Sequence, residues 1–228
     1  MFNSQKVGAI IVAAGRGERM WGIDKIFALL GGTSVLERVA GVFEDSPNVD
    51  YIVIVLNPDS LERGKHLLDG KKFPKLGRIV PGGLRRQDSV EAGLKALPAC
   101  RWVVIHDGAR PLVSAELITA GLEAAQETGA AIAAVPVVDT IKSADDNNYV
   151  NKTLDRFRLW AVQTQQVFRF DIIKEGYDKA SGDVTDDAEL VEALGYGVKL
   201  YMGAYDNIKL TTPADLALAE ALWQQKEG

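Results

Sequence analysis

Arginine, lysine and glycine crowd one early segment of this chain. Ala13-Ala14-Gly15-Arg16-Gly17-Glu18-Arg19-Met20 follows the apolar run Val7-Gly8-Ala9-Ile10-Ile11-Val12, and Lys25 comes shortly after. A buried strand that empties into small residues lets backbone N–H groups approach a polyphosphate, and Arg19 and Lys25 supply charge to neutralise it. The segment reads as a nucleoside triphosphate site. A dinucleotide fingerprint needs a third glycine for close helix–strand packing; here the pattern is Gly15-x-Gly17-x-x-Met20, and Arg19 adds bulk. A phosphate loop of the Gly-Lys-Ser/Thr type is also missing. Taken alone, two glycines after a first strand could be only a tight turn; the cations favour a site.

Three further blocks carry chemistry. In His106-Asp107-Gly108-Ala109-Arg110-Pro111, after a second apolar run, Asp107 is placed to hold a hydroxyl or metal and Arg110 a phosphate. The competing reading is an internal Asp107–Arg110 pair that braces the loop, and His106 reads as a structural histidine. In Gly82-Gly83-Leu84-Arg85-Arg86-Gln87-Asp88-Ser89, a glycine turn runs into a helix whose N-terminus and Ser89 suit a base, sugar or phosphate, while the arginines read equally as solvated charge. Asp206-Asn207-Ile208-Lys209 sets Lys209 between a late strand and the last helix, where it reaches a phosphate or is simply a surface lysine.

These residues need a scaffold, and the remaining pattern supplies one. The chain has 228 residues, 47% of them hydrophobic, enough for a full core. A net charge of −5 argues against a general nucleic-acid surface, so any anion site must be a local cluster. One cysteine, Cys100, and two histidines, His66 and His106, exclude an internal disulfide and leave little for zinc. There is no apolar run of about 18 residues and no signal-peptide pattern, so the expected setting is cytoplasmic, with no membrane partner.

Strand runs at Val7–Val12, Tyr51–Leu56, Arg78–Val80, Trp102–Ile105 and Ala131–Val135 alternate with helical spacing at Ser34–Glu44, Leu61–Leu68, Asp88–Leu97 and Ala115–Thr128. That rhythm predicts an α/β fold with a doubly wound, mostly parallel sheet, whose ligands bind beyond the carboxyl ends of the strands. The Gly15 loop and His106–Pro111 both fall there. After Pro136 the rhythm breaks. The polar stretch Asp139–Arg156, with a turn near Asn147, predicts a projecting β-arm over about residues 138–158 that packs on a second subunit. Helices are expected at Phe170–Lys179, Thr185–Leu194 and Pro213–Trp223, and a strand at Val198–Tyr201. No linker or repeat divides residues 1–228, so one domain is expected.

The blocks together resemble the 2-C-methyl-D-erythritol 4-phosphate cytidylyltransferase family. Ala13-Ala14-Gly15-x-Gly17-x-Arg19-Met20, Lys25, Gly82-Gly83 with Arg86-x-Asp88-Ser89, His106-Asp107-Gly108-Ala109-Arg110-Pro111, Val138-Asp139-Thr140-Ile141-Lys142, Asp155-Arg156, Gln163-Thr164-Gln165, Thr185-Asp186-Asp187 and Asp206-Asn207-Ile208-Lys209 occur in the family's order across nearly the whole chain. The resemblance implies a nucleotide-diphosphosugar-transferase-like fold and a homodimer with exchanged arms. It also implies transfer of CMP from CTP to methylerythritol 4-phosphate in the non-mevalonate isoprenoid pathway, with Mg²⁺ carried mainly on the CTP phosphates. Carried over by position, Arg19 and Lys25 hold those phosphates, and Lys209 faces the reacting one. Ala14, Gly82 and Ser89 contact the cytidine beside the Gly15 and Gly17 loop, and Asp107, Gly108 and Arg110 sit in the cleft. Thr140, Arg156, Thr164 and Thr185 bind methylerythritol phosphate, with Arg156 and Thr164 coming from the partner's arm. Two departures stand out. Asp24 precedes Lys25 where the family usually has proline, and an acid there can pull the lysine from the triphosphate. Leu84 replaces a residue that is polar or acidic in many members. The alternatives weighed are a ribitol 5-phosphate cytidylyltransferase and a non-catalytic nucleotide-binding protein.

Overall fold

A computed structural model describes residues 1–15, 24–68 and 71–227. The Gly17 and Arg19 expectations therefore lie outside the described residues. In chain order the elements are β1 (Val7–Ala13), β2 (Leu29–Leu30), β3 (Thr33–Ser34), α1 (Val35–Asp45), β4 (Tyr51–Leu56), α2 (Leu61–Leu67), β5 (Leu76–Pro81), α3 (Arg86–Ala96), β6 (Trp102–Asp107), α4 (Ala115–Thr128) and β7 (Ala130–Pro136). They continue with β8 (Lys142–Ala144), β9 (Val150–Thr153), β10 (Trp160–Arg169), α5 (Phe170–Lys179), α6 (Asp187–Ala193), β11 (Lys199–Met202) and α7 (Pro213–Glu227).

The central sheet runs β11-β7-β10-β6-β1-β4-β5. Its strands β1 and β4, and β6 as far as Ile105, are apolar because helices cover both faces, as a parallel arrangement requires. Adjacent residues divide between the two faces. Ala9, Ile11 and Ile54 pack with Leu36, Val39 and Phe43 of α1 and Ile118 and Leu122 of α4, whereas Ile10, Val53 and Val55 pack with Val90 and Leu94 of α3. Local signals set the helix starts: Ser34 and Ser114 each accept a hydrogen bond from a backbone N–H in the first turn, and α4 ends on Gly129 at φ +85°.

Strand β10 was absent from the sequence expectation. It lies antiparallel between β6 and β7, making the sheet mixed rather than all parallel. Its centre, Gln163-Thr164-Gln165-Gln166, is polar yet buried, which hides it from an apolar-run search. The Gln166 carboxamide accepts from the N–H groups of Asp187 and Ala188 and donates to Asp186, and Gln163 donates to the Ala204 carbonyl. Burial of the Gln163 and Gln166 carboxamides is tolerated because they are bonded, whereas the Gln165 carboxamide is buried with no hydrogen-bond partner among the described residues. Helix α6 likewise starts later than expected: Asp186, not Thr185, caps it by accepting from the Glu189 N–H.

The arm is a separate antiparallel pair, β8 with β9. Its turn is closed by Asp145, whose carboxylate accepts from the N–H groups of Asn147 and Tyr149, and by Asn148 at φ +65°. Val138, Tyr149, Val150 and Phe157 on or beside it are exposed, Phe157 at 86%.

Candidate active site

Two adjoining cavities open at the carboxyl ends of β1, β5 and β6. The larger, about 460 Å³, is lined by Ala14 and Gly15 after β1, by Lys25, Asn57 and Asp59, by Gly82 to Arg86 with Ser89, and by Asp107, Ala109 and Lys209. The smaller, about 260 Å³, is lined by Arg110, by Val162, Gln163, Thr164 and Gln166 of β10, and by Thr185 and Asp186. Arg86, Asp107 and Lys209 line both.

In the larger cavity, a Cβ at Gly82 would stand 2.4 Å from Ala14 Cβ and 2.6 Å from Ser89 Oγ, so only glycine brings the two loops together. The Ser89 hydroxyl accepts from Gly83 N–H and donates to Arg85 O, each at 3.2 Å, bracing the glycine turn and leaving one acceptor lone pair. A Cβ on Gly15 would meet no described atom within 4 Å. Leu84 is 90% exposed at the rim.

Asp107 closes β6 at the junction. Its Oδ1 accepts from Arg86 Nε at 3.0 Å and its Oδ2 from Lys209 Nζ at 2.6 Å. Burial would push this carboxyl up, but Arg86 and Lys209 outweigh it and hold it well below the usual carboxylate range. The brace between Asp107 and Arg110 that sequence allowed is not formed. Asp107 is already doubly paired, and Arg110 turns instead to Asn207 O, at 2.6 Å. Burial and the nearby Arg86 charge lower the Arg110 pKa.

His106 is fully buried. The Asp107 N–H donates to Thr164 Oγ1 at 3.0 Å, Thr164 Oγ1 lies 3.3 Å from His106 Nδ1, and His106 Nε2 lies 3.2 Å from Arg110 O. A carbonyl partner assigns the proton to Nε2, which leaves Nδ1 to accept from Thr164. Burial lowers His106 to about 4, so it is a neutral structural group, as sequence suggested.

Lys25 Nζ donates to Leu210 O at 3.1 Å, and the Asp24 carboxylate accepts from Ser60 Oγ at 3.4 Å. The loop carrying Lys209 is held by Asn207, which donates to Thr164 O, and by Leu210 N–H on Ala109 O. Asp215 in the first turn of α7 accepts from the N–H groups of Thr211 and Thr212.

The structure thus brings Ala14, Gly15, Lys25, Gly82, Ser89, Asp107, Arg110, Thr164, Thr185 and Lys209 to the two cavities. Thr164 is a correction: it belongs to β10 and lies buried against its own chain's Asp107, so it is not an arm residue offered to a second subunit. Gly108 lines neither cavity. A Cβ there would come within 2.8 Å of Ala13 Cβ, so it is a packing glycine that lets β6 approach β1. Thr140 and Arg156 are exposed and line neither cavity; Arg156 donates to Val138 O at the base of the arm. Sequence reasoning missed Arg86 as a site residue, though it stands in one of the blocks that carried the resemblance.

A mostly parallel α/β sheet with glycine-walled and cationic cavities at its strand ends suits a phosphorylated ligand, and the relatives of this chain make the class a nucleotidyltransferase. The family model described as IspD, 2-C-methyl-D-erythritol 4-phosphate cytidylyltransferase, matches residues 7–225. A protein of that name from Dehalococcoides mccartyi (strain CBDB1) is 52% identical over 222 residues, 97% of this chain and 98% of the relative. Another, from Alkaliphilus oremlandii (strain OhILAs), is 43% identical over 235 residues, with both chains fully covered. Among solved structures, the 4-diphosphocytidyl-2C-methyl-D-erythritol synthase of Anaerococcus prevotii DSM 20548 matches with a TM-score of 0.86 at 34% identity, covering 96% of this chain and 99% of that one. The 2-C-methyl-D-erythritol 4-phosphate cytidylyltransferase of Thermus thermophilus matches at 0.78 and 36%, covering 95% and 98%. The chain belongs to the 2-C-methyl-D-erythritol 4-phosphate cytidylyltransferase family.

Proposed function

We propose that this chain transfers CMP from CTP to 2-C-methyl-D-erythritol 4-phosphate, giving 4-diphosphocytidyl-2-C-methyl-D-erythritol and pyrophosphate in the non-mevalonate isoprenoid pathway. The observation that carries the reading is the pair of cavities meeting at Asp107 and Lys209. The larger suits a nucleotide against Ala14, Gly15 and Gly82, and the smaller suits a phosphorylated polyol among Arg110, Thr164 and Thr185. No observation favours the ribitol phosphate or non-catalytic readings, and the family relationship supports the methylerythritol one.

A phosphate oxygen of methylerythritol phosphate attacks the α-phosphorus of CTP. The bond from that phosphorus to the bridging oxygen breaks, and pyrophosphate leaves with the electron pair. The acceptor phosphate is itself the nucleophile, so the protein's task is to position two anions and offset their repulsion. Lys25 and Lys209 supply charge toward the phosphates, with Arg19 joining them. Lys209 is shared between Asp107 and the incoming phosphate. Arg110 and Thr185 hold the acceptor.

The donor set fits Mg²⁺ carried on phosphate oxygens. Among the described residues no three acidic, histidine or cysteine side chains group as a cage, and Asp107 is the carboxylate common to both cavities. When bound, the ion would neutralise phosphate charge, with Asp107 the residue to hold it from the protein side.

The unit at work is a single domain forming a homodimer in the cytoplasm. No helix among the described residues is long and apolar enough to cross a membrane. The exposed Val138, Tyr149, Val150 and Phe157 support burial of the arm on a second copy, which would bring its Arg156 and Thr140 toward this site. The test is ³¹P NMR of the protein with CTP, Mg²⁺ and methylerythritol 4-phosphate. New diphosphate resonances with free pyrophosphate support the reading, and unchanged CTP in the presence of folded protein contradicts it.

A further inference from the structure

Behind the junction of the two cavities, a line of side chains that begins with three the mechanism above does not use, Tyr177, Asp187 and Arg86, leads to Asp107 and Lys209. Tyr177 of α5 donates its hydroxyl to Asp187 Oδ1 at 2.6 Å. Asp187, the first residue of α6, is wholly buried, and its Oδ2 lies 2.9 Å from Arg86 Nη1 in an ion pair. Arg86 Nε donates to Asp107, and Asp107 accepts from Lys209. Five polar groups from five parts of the chain therefore run without a break from the α5–α6 layer to the amine that faces both cavities. A buried aspartate is costly unless it is paired. The side chain of this one is paired with groups that lead to the site.

We propose that Asp187 and Tyr177 are positioning residues that act through Arg86, holding its guanidinium on Asp107 while Lys209 moves to substrate phosphate. The proposal rests on the function given above. The physical reason is charge accounting at the junction. Arg86 and Lys209 together balance Asp107 and Asp187. When an anionic phosphate enters and draws Lys209 away, Asp107 is left facing that phosphate with Arg86 as the remaining protein cation bonded to it. An arginine tethered only on the cavity side would follow the phosphate too. Asp187 pulls the guanidinium from the protein side, and its planar fork spans the two carboxylates. Tyr177 in turn fixes the Asp187 carboxylate by taking its second oxygen. The acid at the junction thereby stays neutralised throughout the exchange of Lys209 between partners.

The test uses Tyr177→Phe, which removes one oxygen and keeps the ring that packs against the apolar cluster of Ile172, Ile173 and Val191, together with Arg86→Lys. The line of contacts predicts that Tyr177→Phe lowers kcat about tenfold, the scale of a displaced positioning contact, while KM for CTP changes by less than about threefold. In an Arg86→Lys background, where the fork is already lost, adding Tyr177→Phe should change kcat by less than about twofold, because both act through one group. A second readout needs no turnover: exchange of the Arg86 Nε–H with solvent, followed by NMR, should be about tenfold faster in Tyr177→Phe. An unaltered kcat, losses that multiply in the double variant, or unaltered Nε–H exchange would each overturn the proposal. An inactive wild-type chain would count against the function itself, and the exchange comparison would still decide whether Tyr177 holds Arg86.

Discussion

Lys25 Nζ donates to the backbone carbonyl of Leu210 at 3.1 Å, across 185 positions of sequence. Leu210 follows Lys209, so the first and last cationic loops of the chain meet at one peptide. The apolar cluster of Leu30, Val35, Leu112, Leu210 and Ala219 packs beneath that meeting point and seats α7 there. The two lysines that line the larger cavity are thus tied to each other before any ligand arrives, the kind of preorganisation that electrostatic catalysis requires.

Replacing Lys25 by Ala should therefore separate catalysis from stability. The lost hydrogen bond to Leu210 costs about 1 kcal/mol of folding free energy. Loss of a preorganised charge at the phosphates costs about 2–4 kcal/mol of barrier, or about 30- to 900-fold in turnover. Pyrophosphate release and a thermal melt on the same preparation check both; a collapsed melting temperature in Lys25→Ala would remove the case for a catalytic role.

Gly82→Ala should act on nucleotide affinity. The new methyl would collide with Ala14 Cβ and Ser89 Oγ, at 2.4 and 2.6 Å, and force apart the walls of the larger cavity. Overpacking of this kind costs about 1–3 kcal/mol. The expected result is a rise in KM for CTP of at least about tenfold with a smaller change in KM for the polyol phosphate. Equal effects on both would mean that the glycine turn does not border the nucleotide.

His106 gives the fold a pH dependence whose sign is fixed. Unfolded, the imidazole titrates near 6.5; folded, burial holds it at about 4. Between those values the unfolded chain binds more protons, so stability falls as pH drops from 6.5 and the full penalty is present below 4. The gap corresponds to about 3 kcal/mol. Urea unfolding across that range should slope for the wild type, and subtracting the His106→Gln curve should leave this component alone. Parallel curves for the two proteins would show that His106 titrates normally.

What sequence revealed and what it hid follow from where the determining contacts lie. The strands Tyr51–Leu56 and Trp102–Ile105 and the helix Ala115–Thr128 announce themselves because burial on one or both faces writes an apolar pattern along the chain. Strand β10 does not, since Gln163, Thr164 and Gln166 bond to distant backbone groups that no local pattern encodes. Arg85 and Arg86 show the same limit. They are neighbours of one type, yet Arg85 pairs with Asp88 and Asp183 at the surface, while Arg86 pairs with Asp107 and Asp187 in the interior. Only the fold distinguishes them. The exchange of Thr164 from an expected partner role to a residue of its own chain's site has the same origin, because its neighbourhood depends on β10 being in the sheet.

The arm predicts a dimer. Its apolar side chains, Phe157 foremost, are exposed in the single chain and would gain burial on a second copy. Light scattering on a sizing column should return twice the mass of one chain, and a chain whose residues 142–153 are replaced by a short glycine–serine turn should return a single mass. An intact protein that elutes at one chain mass would contradict the arm's role.

The proposed reaction joins CTP and methylerythritol phosphate across the two cavities. Its most direct test is the rate of pyrophosphate release with CTP and Mg²⁺, measured side by side with 2-C-methyl-D-erythritol 4-phosphate and with ribitol 5-phosphate. Release that depends on methylerythritol phosphate, with ribitol phosphate near background, is the predicted result. Release only with ribitol phosphate, or none with either from folded protein that binds CTP, would contradict it.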